Sequence, residues 1–291
     1  MGKYSIKDLE RLSGIKAHTI RIWEKRYEIV KPQRTPTNIR YYSDEDLKKI
    51  LNIALLNQAG HKISNIAGLS PDELRQKIEE YAVVKDDVKY FLDNLVFATV
   101  DMDEARFERL FDQAILDYGM EKTMLQIIYP FFKNVGLMWL TGALNPGQEH
   151  YISNIVRRKL IVAIDKREER NRSGDNVILF LPEGEWHELG LLFFHYVCLG
   201  MDVKSYYLGQ SVPLESIKQI VIAKDPSYLV FSHLSIRNKT NFKKYLTRLT
   251  EISGNSELVF IDRPGNKNQA LNDFDIYNPT EIEEFKQLIM R

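Results

Sequence analysis

A chain of 291 residues with 44% hydrophobic content is long enough for two or three domains with substantial cores. Forty basic residues balance forty acidic ones, which argues against a uniformly cationic coat for nucleic acid. The charge is unevenly spread, however: residues 1–62 hold 13 Lys/Arg against 7 Asp/Glu, the footprint of one DNA-binding end on a neutral protein. The single cysteine, Cys198, excludes an internal disulfide and a Cys-rich metal site. No cleavable apolar start is present, and no apolar run approaches the roughly 20 residues that span a bilayer. The expectation is a cytoplasmic chain with no membrane contact.

Ser5 is placed to cap a short helix with Ile6, Leu9 and Leu12 on one face, and Gly14 breaks it. A second helix is expected from about Ala17 to Tyr27, with Ile20 and Trp23 inward and Thr19, Arg21, Lys25 and Arg26 available outside. Two short helices across a glycine turn form the helix-turn-helix plan. Between Lys31 and Tyr42, two prolines and polar residues forbid a helix, and Arg34 and Arg40 flank a turn suited to a hairpin wing. Ser43, backed by Asp44, Glu45 and Asp46, caps a third helix to about Ala59. His18 reads as a helix-start residue.

The run Arg21-x-Trp23-Glu24-x-Arg26-Tyr27, then Pro32-x-Arg34-Thr35-x-x-Asn38-x-Arg40-Tyr41-Tyr42, then a Ser-capped helix, resembles the winged head of MerR-type regulators over residues 3 to about 67. That resemblance implies a recognition helix entering the major groove through Thr19 and Arg21, with Lys25 and Arg34 in the DNA-facing set. Arg40 and Tyr41 would hold phosphates, which position a protein without reading sequence. The implied partner is double-stranded DNA carrying an inverted repeat.

After Ile63–Leu69 and a capped restart at Ser70, MerR-type chains usually continue as one dimerising helix, whereas this one continues as a helical domain. Helices are expected at 86–99, 103–118, 121–140 and 148–169, broken at Asp101-Met102-Asp103, Tyr118-Gly119 and Thr141 to Gly147. Leu92, Leu95, Val96 and Ala98 suit a buried stripe, as do Phe107, Leu110, Phe111 and Ile115, so the reading is a compact four-helix bundle. Trp139 closes the third helix and Glu149-His150 opens the fourth, with a turn forced by Leu144-Asn145-Pro146-Gly147. Taken singly, Trp139 reads as core filling and the Glu-His pair as a helix cap.

A charged linker from Lys166 to Gly174 precedes the apolar run Val177–Leu181, expected as a buried parallel strand. Helices at 187–199, 213–224, 238–252 and 280–290 alternate with strands at 203–207, 228–232, 257–261 and 275–277, a doubly wound α/β sheet. Its first βα loop holds Glu185-x-His187-x-x-Gly190. An imidazole there suits a metal below it, with the carboxylate bonded to its other nitrogen; the bland reading is a surface loop histidine. His195 and His233 read as packing or loop residues.

Together, Trp139-x9-Glu149-His150 and Glu185-x-His187-x-x-Gly190 resemble the two halves of a cobalamin site, as in the adenosylcobalamin-dependent light-sensing MerR-type repressors (the CarH and LitR group). The resemblance implies Trp139 over the upper axial face, Glu149 and His150 on the adenosyl group, and His187 as the lower axial cobalt ligand. Ser232-His233-Leu234 matches the family's Ser-x-Leu, so Ser232, Leu234 and Gly190 join the cofactor set. Tyr207 to Pro213 resembles the family's second βα loop.

Three positions depart from the family. Glu185 stands for Asp, one methylene longer; Asp262-Arg263-Pro264-Gly265 replaces a Gly-Gly pair, so that Arg263 and Pro264 would crowd a nucleotide tail. Leu140 stands where some light sensors have a second cobalt-ligating His.

The domains are then expected at 1–80 (winged head), 81–170 (helical cobalamin cap) and 175–291 (Rossmann-like cobalamin-binding domain). Three functions fit. One is a repressor in which adenosylcobalamin assembles a DNA-competent dimer or tetramer and light undoes it. Another is a regulator that kept the architecture and lost cobalamin, for which Arg263-Pro264 speaks. The third is a corrinoid enzyme module, disfavoured because the chain offers no substrate domain.

Overall fold

The computed structural model describes residues 4–35, 38–58, 60–70, 73, 74, 77, 88–140, 144–168, 174–201, 203–234, 239–262 and 268–291. They form two compact units, Met1–Ile152 and Ser153–Arg291. In the first, helix α1 (Ile6–Ser13) starts on a reciprocal cap: the Ser5 hydroxyl accepts from the Asp8 N–H, and the Asp8 carboxylate accepts from the Ser5 N–H at 2.8 Å. Gly14, at φ 73°, ends it. Helix α2 (Ala17–Tyr27) buries Ile20 and Trp23 against that corner. Strands β1 (Gln33–Arg34) and β2 (Arg40–Tyr41) pair antiparallel, and Asn38 takes a left-handed φ of 64° at the tip. Tyr4 bridges to Tyr42, fixing the wing to the chain start. Ser43 and Asp46 repeat the reciprocal cap at the start of α3 (Asp44–Gln58). The short α4 (Ile63–Ile66) follows, and Ser70 with Glu73 makes a third such pair.

The helical middle comprises α5 (Val88–Asp101), α6 (Glu104–Thr123), a π turn (Met124–Ile128), α7 (Tyr129–Leu140) and α8 (Pro146–Glu168). Leu95, Val96, Ala98, Phe107 and Phe111 are buried, with Phe107 edge-on to both Phe111 and Phe131. The expected break at Gly119 is a kink: its φ of 78° and ψ of 158° interrupt α6, and the Thr123 hydroxyl donates to the carbonyl of Ala114 across it. The expected single helix over 121–140 instead carries the π turn, because one residue more than the α repeat allows is accommodated there. Pro146 is the first residue of α8, where its missing N–H costs nothing. The preceding Asn145 pairs reciprocally with Gln148.

The second unit holds a five-stranded parallel sheet of β3 (Asn176–Pro182), β4 (Lys204–Val212), β5 (Tyr228–Phe231), β6 (Glu257–Phe260) and β7 (Ile276–Tyr277), in the order β4-β3-β5-β6-β7. Between these strands run α9 (Leu189–Leu199), α10 (Leu214–Lys224), α11 (Lys239–Ile252) and a 3-10 turn (Gln269–Leu271), and α12 (Ile282–Ile289) closes the chain. Strands β3, β5 and β6 are buried almost throughout, and Phe180 stacks on Phe231 at 5.8 Å. One core of Ile178, Phe231, Leu246 and Phe260 with their neighbours lies under α10 and α11.

Two of the boundaries that differ from the sequence expectation have a visible cause. Strand β4 runs on to Val212 through irregular pairing with β3, since Gly209 and Ser211 take left-handed φ and let the strand bulge without leaving the sheet. Helix α9 begins at Leu189 rather than at 187. The Glu185 side chain accepts the backbone N–H groups of Trp186 and His187 and holds them in a loop.

Candidate functional site

In a sheet of this order the strand sequence reverses beside its first strand, and ligands of such folds lie at the carboxyl ends of the strands flanking that point. Here those strands are β3 and β5. The loop after β3 begins with Glu185 N–H donating to the Pro182 carbonyl and Gly184 at φ 82°. It is braced from β4: Ser211 Oγ accepts from Gly184 N–H, Ser211 N–H donates to the Glu185 carbonyl, and Gln210 donates to the Trp186 carbonyl. The Glu185 side chain is wholly buried. Its Oε1 accepts from His187 Nδ1–H at 2.6 Å, so the added methylene still reaches the ring. The His187 side chain is 66% exposed. With Nδ1 donating, Nε2 carries the lone pair, which is the donor set a soft or borderline metal needs.

The next residue, Glu188, is buried and accepts from Tyr207 Oη–H at 2.7 Å and from the Arg157 guanidinium of α8. Burial first and then this carboxylate raise the proton affinity of Tyr207 well above the usual phenol range. Farther along α8, Arg167 lies over the Tyr196 ring and donates to the Tyr196 carbonyl. The His187 loop is thereby held from β4 and from the carboxyl half of α8.

Gly190 lies in the first turn of α9, Ser232 is buried directly after β5, and Leu234 is half-buried beyond it. His195 is buried, bonded to Ser205 and stacked on Tyr207, in keeping with its reading as packing. His233 was set aside by sequence reasoning; its Nδ1 lies 2.9 Å from Glu185 Oε2. Its signal was its place within Ser232-His233-Leu234, in the loop directly after the strand adjacent to β3. Arg263 and Pro264 lie outside the described residues.

Glu149 and His150 belong to the first unit, in the opening turn of α8, with His150 Nδ1 3.1 Å from the Glu149 carboxylate. That turn is anchored at both ends: Gln148 donates to the Val100 carbonyl and Tyr151 to Glu104. Trp139 lies in the last turn of α7, and its side chain and that of Leu140 fall outside the described residues.

In the head, Arg21 and Lys25 are exposed on α2, and Arg34 and Arg40 on the wing, with Thr19 and Tyr41 half-buried. Arg34 donates to Asn38 Oδ1 at 2.6 Å and Tyr41 to Gln33 at 2.6 Å, so the wing organises its own polar side chains. Among the described residues no helix is long and apolar enough to cross a membrane, and no cluster of three or more His, Cys, Asp or Glu suited to a metal ion occurs.

Residues 4–73 match the family model "MerR HTH family regulatory protein", and residues 92–163 match "B12 binding domain". With the parallel α/β unit behind them, these define the class: the chain is a MerR-type helix-turn-helix regulator with a B12-binding domain. Over most of its length it is homologous to two repressors of Myxococcus xanthus. It is 29% identical to the "HTH-type transcriptional repressor CarH" over 85% of this chain and 84% of that one. It is 23% identical to the "HTH-type transcriptional repressor CarA" over 83% and 80%. In fold it is similar to the Methanosarcina barkeri monomethylamine corrinoid protein, with a TM-score of 0.58 at 17% identity, covering 69% of this chain and 98% of that one.

Proposed function

We propose that the chain is a transcriptional repressor whose hold on DNA is gated by adenosylcobalamin and light. The observation that carries this reading is the pairing of buried Glu185 with exposed His187 at the switch point of the sheet, which leaves Nε2 free to take an axial metal position. Residues 1–80 would serve as the DNA-binding head, 81–170 as the cap and 175–291 as the cobalamin-binding domain. His187 would be the lower cobalt ligand, with Glu185, Gly190, Ser232 and Leu234 shaping that side. Trp139, Glu149 and His150 would take the adenosyl side. The cofactor would supply a cobalt–carbon bond that light can break. The chain's own part is to hold His187 in one tautomer, to keep the loop rigid through Glu188, Tyr207 and Ser211, and to present Thr19, Arg21, Lys25, Arg34, Arg40 and Tyr41 to DNA.

The homology to two repressors and the B12-binding match support the reading. Gating requires that ligand favour one assembly over the other by several kcal/mol, a population shift rather than a new fold. The test is an absorption spectrum after incubation with adenosylcobalamin and desalting. Wild-type protein should stay coloured, and His187→Ala should lose the colour while keeping its circular dichroism. Wild-type protein emerging colourless from every corrinoid incubation would leave the regulator that lost cobalamin as the better account.

A further inference from the structure

We infer that His233 is a positioning residue for His187, acting through the second oxygen of Glu185; the inference rests on the reading of His187 as an axial ligand. The strand order places β5 beside β3, so the loop carrying His233 adjoins the loop carrying Glu185 and His187. Glu185 has no exposed surface. Its Oε1 accepts from Trp186 N–H at 2.9 Å, His187 N–H at 3.0 Å and His187 Nδ1–H at 2.6 Å. Its Oε2 accepts from His233 Nδ1–H at 2.9 Å. A carboxylate held at one oxygen can turn about its last bond, and holding both oxygens fixes the plane. Fixing that plane fixes the direction in which Oε1 meets the His187 ring, and with it the Nδ1–H tautomer and the bare Nε2. The His233 ring is itself restrained, edge-on to Phe242 at 5.6 Å and 78°, and its side chain is 22% exposed. Residues 187 and 233 thus hold one buried carboxylate from the loops that follow two neighbouring strands. One ring presents its free nitrogen outward, and the other sets how it points.

The test begins on full-length protein without cofactor, labelled with 15N histidine and read by long-range 1H–15N correlation above neutral pH. Both His187 and His233 should show Nδ1 protonated. A bare Nδ1 on His233 in the wild type overturns the inference with no mutation needed, because that nitrogen would then have no proton to donate. In His233→Phe, which keeps a ring and removes the donor, His187 should become a mixture of tautomers. In His233→Asn, which returns an N–H near the Nδ1 position, the single tautomer should come back. A His187 tautomer unchanged in His233→Phe also overturns the inference.

The second arm titrates aquocyanocobinamide, which lacks the nucleotide base, so its visible band reports the protein imidazole directly. Affinity should fall roughly 10–100-fold in His233→Phe, the range for groups that orient a metal's ligand, and recover in His233→Asn. Binding that is measurable and equally tight in all three proteins overturns the inference. If His187 changes tautomer in His233→Phe and recovers in His233→Asn as stated, yet the wild type binds no cobinamide, the axial-ligand reading falls and the positioning role of His233 stands.

Discussion

Burial sets the proton affinity of two groups remote from the His187 loop. Cys198 is fully buried, and burial pushes its thiol from 9.0 up to about 12, with a bond to Ser205 acting the other way. Tyr42 is pushed from 10.0 up to about 12, first by burial and then by the Glu24 carboxylate to which it donates. In both cases the folded state keeps a proton that the unfolded chain has already released. The contribution of these two groups to stability should therefore be constant below about pH 9 and fall as pH rises from there towards about 12. The slope is about 1.4 kcal/mol per pH unit for each group in its window. Urea unfolding at a series of alkaline pH values checks this, and an unchanged midpoint would show that neither proton is retained. Legibility at this scale followed sequence separation. Glu185 and His187 lie two residues apart and could be paired by inspection. Glu188 with Tyr207 and Arg157, and Glu185 with His233, could not, since those partners meet only once the strands are ordered.

Among the elements, those governed by local chemistry were plain from the residues. Helix α2 starts and ends where its pattern requires, and the caps at Ser5, Ser43 and Ser70 form as reciprocal bonds between residues three apart. Two departures have different origins. Strand β4 is carried to Val212 by pairing with β3, a long-range partner, whereas α9 is shortened locally by the side chain of Glu185. The two DNA-facing elements should separate in function. Arg21→Ala on α2 should degrade discrimination between operator and random DNA, costing about 1–3 kcal/mol on the operator alone. Arg40→Ala on the wing should weaken binding to every sequence and reduce the salt slope by about one. Salt-dependent binding isotherms on both DNAs check this pair, and equal effects of the two variants would mean that α2 does not read bases.

At the scale of the whole molecule, the proposed gating predicts a change of assembly. Protein loaded with adenosylcobalamin in the dark should form a dimer or tetramer, and illumination should change that state, as read by size-exclusion chromatography with light scattering. Leu140 stands where a second ligating histidine would be needed, so the illuminated form should revert or lose corrinoid readily. An assembly indifferent to both ligand and light would remove the gating mechanism and leave the DNA-binding head untouched. The residues alone determined the head, the helical middle and the alternating α/β tail, because caps, breakers and apolar periods act over three to ten positions. They also determined the Glu185–His187 pair, for the same reason. Only the tertiary structure decided the order β4-β3-β5-β6-β7, and with it the meeting of Glu185 and His233. Strand neighbours are chosen by how a buried sheet packs on both faces, a condition that no stretch of sequence carries by itself.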